Sequence, residues 1–284
     1  MKTTILILAW VVIGPLVGGL LAGIDRIITA RMQSRVGPPV FQPFYDVLKL
    51  LGKQGIVVNA FQNYYIACFL VFVILTGALF FSGGDLLLAM FAFAVAGVFF
   101  VLGAYSSRSP YSTIGAEREL VLMMAYEPMV LLSAMGMYLV TKSFHVHDII
   151  ASSKPAIVYL PGIFIGFVFI LTIKLRKSPF DLSFSHHGHQ ELVKGISTEF
   201  AGPGLAIIEI AHWYETVLLL GLVYLFFAFN PVIAIIAVLV TYFFEIFIDN
   251  TFARLTWHYT LKSSWIVAIV LGVTNLLILA YAVR

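Results

Sequence analysis

The chain has 284 residues, 61% of them hydrophobic and only 11% charged, with a mean hydropathy of +1.00. That composition excludes an ordinary soluble domain, and a net charge of +3 gives no sign of nucleic-acid binding. A single cysteine, Cys68, excludes both an internal disulfide and a four-thiolate iron–sulfur cluster within this chain.

Eight runs are apolar and long enough to cross a bilayer, which takes about 20 residues each. They lie at roughly 4–24, 63–82, 86–105, 119–141, 156–175, 204–229, 231–251 and 263–283. Backbone groups in lipid must be satisfied internally, and these runs do not alternate as barrel strands would. The expected fold is therefore an all-α polytopic membrane protein of about eight transmembrane helices, forming one membrane domain over residues 1–284. The first run is too long for a usual signal-peptide core and lacks an A-x-A-like site, so it is counted as a span. The connections at about 25–62, 106–118, 176–203 and 252–262, with Lys174 at the adjoining end of the fifth span, carry 13 of the 17 Lys and Arg residues. The positive-inside bias makes that face cytoplasmic and both termini external. The first and third of these connections are long, which places a sizeable polar surface there.

The first span ends in Arg26, Arg31 and Arg35, followed by Gly37-Pro38-Pro39. Arginines beside a span are commonly membrane anchors, but the fixed Gly-Pro-Pro turn is more than an anchor needs. Residues 43–54 then read as an amphipathic helix carrying Asp46, Lys49 and Lys53, suited to the headgroup region or to docking. Glu117, Arg118 and Glu119 open the fourth span, and Glu127 lies within it, followed by Pro128. The proline frees a carbonyl one turn back, close to the carboxylate. Intramembrane carboxylates are costly, so Glu127 reads as proton-active more readily than as a structural ion pair.

Residues 174–199, KLRKSPFDLSFSHHGHQELVKGISTE, are dense in charge and histidine between long apolar runs. His186, His187 and His189 lack the ligand spacing of a closed zinc site, so a proton antenna or an interface is expected instead of a metal. Glu209, His212 and Glu215 recur at i, i+3 and i+6 on one face of the sixth span. Glu245 and Asp249 form an i, i+4 pair on the seventh, with Arg254 beyond. Five ionisable groups on two successive spans read as a hydrated relay. No residue here is assigned to catalysis, to a cofactor or to a metal.

Taken together, these residues resemble the membrane subunit of respiratory complex I that forms most of the quinone tunnel. Gln33-Ser-Arg35-Val-Gly37-Pro38, the Asp46/Lys49 helix and Tyr126-Glu127 look like that family's motifs, as do Pro179-Phe-Asp-Leu182, Glu191-Leu-Val-Lys-Gly195 and Glu199-Phe-Ala-Gly202. Three features depart from it: Lys174-Leu-Arg176-Lys177 before the Pro-Phe-Asp-Leu motif, the longer histidine-rich insertion after it, and Ala211-His212-Trp213 in the sixth span. The His186-His187-Gly188-His189-Gln190-Glu191 pattern and the Ile210-Ala-His212-Trp-Tyr-Glu215 run resemble instead the Ech-type energy-converting [NiFe] hydrogenases of anaerobic bacteria and archaea.

The resemblance implies a non-redox coupling subunit in the cytoplasmic membrane. It implies as partners the large and small [NiFe] hydrogenase subunits, a ferredoxin-like iron–sulfur subunit and an antiporter-like membrane subunit. The nickel–iron centre and iron–sulfur clusters would sit in those partners, with no cofactor in this chain. The implied proton or ion pathway comprises Glu117, Glu119, Glu127, Asp181, Glu191, Glu199, Glu209, His212, Glu215, Glu245 and Asp249. The implied soluble-arm interface comprises Arg26, Arg31, Arg35, Asp46, Lys49, Lys174, Arg176, Lys177, His186, His187 and His189. The competing readings are a quinone-binding complex I subunit, a stand-alone secondary transporter and a passive anchor.

Overall fold

A computed structural model describes residues 2–55, 59–152, 154–180 and 195–282. Among these, helices dominate. Seven are long and apolar enough to cross a membrane: α1 (Lys2–Met32), α3 (Ala60–Phe81), α4 (Leu86–Ser106), α5 (Pro110–Thr141), α9 (Pro203–Phe226), α10 (Pro231–Thr251) and a segment running from Trp257 to Ala282. The last consists of α11 (Trp257–Val267), a π-helical turn (Ala268–Val273) and α12 (Thr274–Ala282).

The fifth expected span is shorter than expected. It splits into a single turn, α7 (Ala156–Tyr159), and the 14-residue α8 (Pro161–Lys174). Pro161 offers no backbone N–H and biases Leu160 away from helical geometry, so the break falls there. Two other boundaries also move. Residues 25–32, expected in a loop, continue α1, because Asp25 and Arg26 do not stop a helix and no breaker occurs before Gly37. Residues 110–118 belong to α5, which starts at Ser109-Pro110; proline suits a first helical position because that N–H would have no partner. The amphipathic segment forms α2 (Gln42–Leu51), with Pro43 and Val47 buried and Tyr45 and Leu48 exposed.

Helix starts follow local chemistry. The Asn59, Asp85 and Asn230 side chains accept from the amides of Phe61, Leu88 and Val232 at 3.1, 2.9 and 3.0 Å, capping α3, α4 and α10. At the bundle end near Asp85, the α3–α4 turn is stitched to the segment before the short helix α6 (Val146–Ala151). The Leu86 amide donates to Phe144 O at 2.8 Å and the Val146 amide to Gly84 O at 2.9 Å.

The α9 helix is central and packs against α1, α2, α3 and α10. A small residue lets α1 approach it closely, since a Cβ at Gly18 would collide with the Trp213 backbone; one at Gly23 would collide with the Val40 carbonyl in the connection before α2. Without a hydrophobic drive in lipid, such close packing and buried polar pairs hold the helices together. Trp10 donates from Nε1 to Ile74 O at 3.0 Å, and the Tyr214 hydroxyl donates to Val11 O at 2.6 Å, fixing α1 against α3 and α9.

Candidate functional site

The site is built at the end of α8. The Leu175 amide donates to Leu171 O, Arg176 to Ile173 O at 3.0 Å and Lys177 to Thr172 O at 2.9 Å. The last two bonds form a Schellman turn, whose C′ position requires a left-handed backbone. Glycine usually stands there, but this turn carries Arg176 at φ 54°. The turn sends two successive basic side chains toward different helices.

Arg176 reaches α5 and α9. Its guanidinium lies 3.2 Å from Glu119 Oε1 and 3.5 Å from Glu215 Oε2, with its own side chain 13% exposed and both carboxylates 6%. Burial opposes the Arg176 charge, but Glu119 and Glu215 outweigh it and raise its pKa. His212 completes the cluster. Its Nδ1 lies 2.8 Å from Glu215 Oε2 and 3.0 Å from Arg176 Nη1. A protonated Nδ1 donates to the carboxylate, whereas a bare Nδ1 accepts from the guanidinium; it cannot do both at once. Phe69 and Phe100 stand edge-on to the imidazole at 5.8 and 5.6 Å and limit its movement.

Lys177 reaches α1 and α10. Its Nζ bonds to Asp25 and lies 3.2 Å from Asp249 Oδ2, while Asp249 Oδ1 accepts from the Ser178 amide at 2.8 Å. Burial works against this ammonium, yet Asp25 and Asp249 outweigh it and raise its pKa. Between the two clusters lies a cavity of about 590 Å³ lined by Asp25, Arg26, Glu209, His212, Glu215 and Asp249, among others. Its wall mixes these charges with apolar side chains such as Ala22, Leu175, Leu205 and Leu219, and the charged part suits water and ions.

The other expected pathway residues divide. Glu245 is fully buried on α10. Glu127 is half-buried on α5, one residue beyond Tyr126. Glu209 lines the cavity, and Glu199 is half-buried, with its carbonyl accepting from Gln62 Nε2 at 3.1 Å. Glu117 is exposed and stands apart from the cluster. Asp181, Glu191, His186, His187 and His189 lie outside the described residues.

Three residues expected at the docking surface turn inward instead. Lys174 is 6% exposed and bonds to the Tyr126 hydroxyl, while Arg176 and Lys177, each 13% exposed, are drawn in by carboxylates on four helices. Arg31, Arg35 and Lys49 do remain exposed. Arg26 and Asp46 pair at 2.6 Å on the half-exposed face joining α1 to α2. Partial burial raises the Asp46 carboxyl, but the Arg26 and Gln42 hydrogen bonds outweigh it and hold the pKa below the usual value. Sequence reasoning gives no site role to Asp25, Tyr126, Thr172 or Asn250, all of which the structure brings into these contacts. The Asn250 amide donates to Thr29 Oγ1 at 3.1 Å, tying α10 to α1. For Asp25 a signal is present: a carboxylate one residue before Arg26, on a helix with no breaker after it.

A family model described as NADH dehydrogenase matches residues 3–280. The chain belongs to the NADH dehydrogenase family. Within this family it is 30% identical to hydrogenase-4 component C of Escherichia coli, over 83% of each chain. It is 31% identical to formate hydrogenlyase subunit 4 of the same organism, over 68% of this chain and 67% of that one. An NADH-quinone oxidoreductase subunit of Dehalococcoides mccartyi is 26% identical over 92% of this chain and 81% of its own length. A chain in the structure of the membrane-bound sulfane sulfur reductase, an archaeal respiratory membrane complex, shares the fold with a TM-score of 0.85 at 23% identity, covering 97% of this chain and 100% of that one. The NADH dehydrogenase family membership and the helical architecture make this chain a multi-pass membrane protein.

Proposed function

We propose that this chain is the membrane coupling subunit of a multisubunit energy-converting hydrogenase. It docks the soluble [NiFe] hydrogenase and ferredoxin module and links ferredoxin-driven hydrogen evolution to H⁺ or Na⁺ translocation. The observation that carries this reading is the pair of ion clusters built on Arg176 and Lys177 around a charged cavity. Buried charge on this scale is expensive in a membrane and is retained where ions or protons move. His212 supplies a contact with two discrete arrangements, as a coupling element requires. The two hydrogenase-related proteins, at 30% and 31% identity, support the hydrogenase branch over the quinone-oxidoreductase relatives at 25–28%.

In this reading the chain holds no redox centre of its own. Nickel–iron and iron–sulfur centres belong to the large, small and ferredoxin-like partner subunits, and an antiporter-like membrane subunit completes the ion path. The pathway is carried by Glu119, Glu127, Glu209, His212, Glu215, Glu245 and Asp249. Arg31, Arg35 and Lys49 face the soluble module. The complex sits in the cytoplasmic membrane of a bacterium or archaeon with both termini of this chain outside.

The test is to isolate the complex from native membranes in mild detergent, identify what accompanies the chain and assay hydrogen evolution from reduced ferredoxin. Co-isolated [NiFe] hydrogenase subunits with ferredoxin-dependent hydrogen evolution are expected. Quinone-reductase partners without hydrogenase activity would overturn the assignment in favour of a quinone-binding subunit. That second reading has the NADH-quinone oxidoreductase relatives on its side, and apolar side chains such as Leu205 and Leu219 share the cavity wall with the charged ones.

A further inference from the structure

Lys174 closes α8 with its ammonium enclosed in the bundle. Nζ donates to the Tyr126 hydroxyl at 2.9 Å and sits over the Phe93 ring at 3.9 Å and the Tyr126 ring at 4.3 Å from their centroids. Among the described residues no carboxylate approaches it within 4.0 Å. Three carboxylates nevertheless act on it through space: Glu215 from α9, and Glu127 and Glu119 from α5. Arg176, two residues on, binds Glu119 and Glu215 directly. Lys174 thus lines the same cavity as Arg176, His212 and Glu215, while its hydroxyl partner Tyr126 directly precedes Glu127 on α5; a hydroxyl and two ring faces hold it.

This arrangement suits transfer better than anchoring. A structural counter-ion would contact its carboxylate, because a buried charge recovers its desolvation cost only in close, hydrogen-bonded geometry. The lysine stem is flexible, and lysine, unlike arginine, can give up its proton inside a protein. Ring faces hold an ammonium without fixing it as a carboxylate would.

We propose that Lys174 is a proton-carrying residue that links Glu127 to the Glu119–Glu215 cluster, with the Tyr126 hydroxyl as its resting partner. The ammonium gives one proton to the Glu127 carboxylate and becomes an amine. The amine then takes one proton from the cluster side, and the ammonium is restored. One proton passes per cycle, no electron moves, and the direction can be reversed. The inference rests on the ion-coupling reading above.

The experiment uses the intact complex in sealed inside-out vesicles and measures ions taken up per hydrogen evolved. Lys174→Arg keeps the charge but cannot release the proton. It should lower that ratio by about tenfold or more, the range over which proton-transfer groups act. A Lys174→Arg complex with the wild-type ratio would overturn the proposal and make Lys174 a counter-charge only. Should Lys174→Arg fail to assemble, Tyr126→Phe removes only the resting hydroxyl and should lower the ratio several-fold; an unchanged ratio there would equally overturn it. A wild-type complex that evolves hydrogen with no ion uptake would instead remove the coupling reading itself, and Lys174's role with it.

Discussion

Arg176 and Lys177 are consecutive residues, yet Arg176 pairs with Glu119 and Glu215 while Lys177 pairs with Asp25 and Asp249. One peptide unit thereby joins α5 and α9 on one side to α1 and α10 on the other. A displacement at this turn changes both clusters together.

Replacing Arg176 with Gln leaves Glu119 and Glu215 enclosed without their cation. Breaking a buried pair by removing one partner costs about 3–5 kcal/mol. The expected result is a large loss of thermal stability in detergent, measured on the purified complex. Arg176→Lys should rescue only part of it, because a point ammonium cannot serve both carboxylates and His212 as a planar fork does. Full rescue by lysine would show that charge alone matters here.

The second cluster has a pH signature. The folded pKa of Lys177 lies above its ordinary value of 10.5. Its contribution to stability is therefore fully present below that ordinary value and is lost as pH rises through the folded one. Wild type should lose stability at strongly alkaline pH by an increment that Lys177→Met lacks, and the two unfolding curves should converge there. Parallel curves from neutral to alkaline pH would remove Lys177 from this role.

Adding one methyl at Gly23 drives a Cβ into the Val40 carbonyl, a backbone atom that cannot swing away. Overpacking of this kind costs about 1–3 kcal/mol. Gly23→Ala should lower the yield of assembled complex, whereas Gly52→Ala, where a Cβ meets only ordinary contacts, should not. Yields are compared by native gel from equal membrane samples.

Lys49 is exposed on α2. Lys49→Glu should leave the chain's own stability within about 0.5 kcal/mol. If α2 faces the soluble module, the reversal should weaken its retention and make that loss salt-dependent. Retention equal to wild type across a salt series would take Lys49 out of the interface.

The spans, the amphipathic helix and most of the buried acids are legible in the sequence because period and apolar length are local signals. The inward turn of Arg176 and Lys177 is not, because basic residues at the end of a span look the same whether they anchor in headgroups or enter the bundle. Burial is decided by what faces them: Glu119 lies 57 positions away and Asp25 152. The α7–α8 break has a local cause at Leu160-Pro161, although the apolar run continues across it. The extension of α1 to Met32 escapes a hydropathy reading because charges at 25 and 26 look like a membrane edge, although charge does not end a helix.

The arginine at the left-handed end of α8 has a consequence for anyone engineering this chain. Judged by backbone comfort alone, glycine is the better residue at position 176, and a consensus-style stabilisation would install it. The relaxed turn would lose its hold on α5 and α9, so improving this position locally would disconnect the molecule. Local discomfort at residue 176 is a marker of transmission, and stabilising screens on this protein should leave it alone.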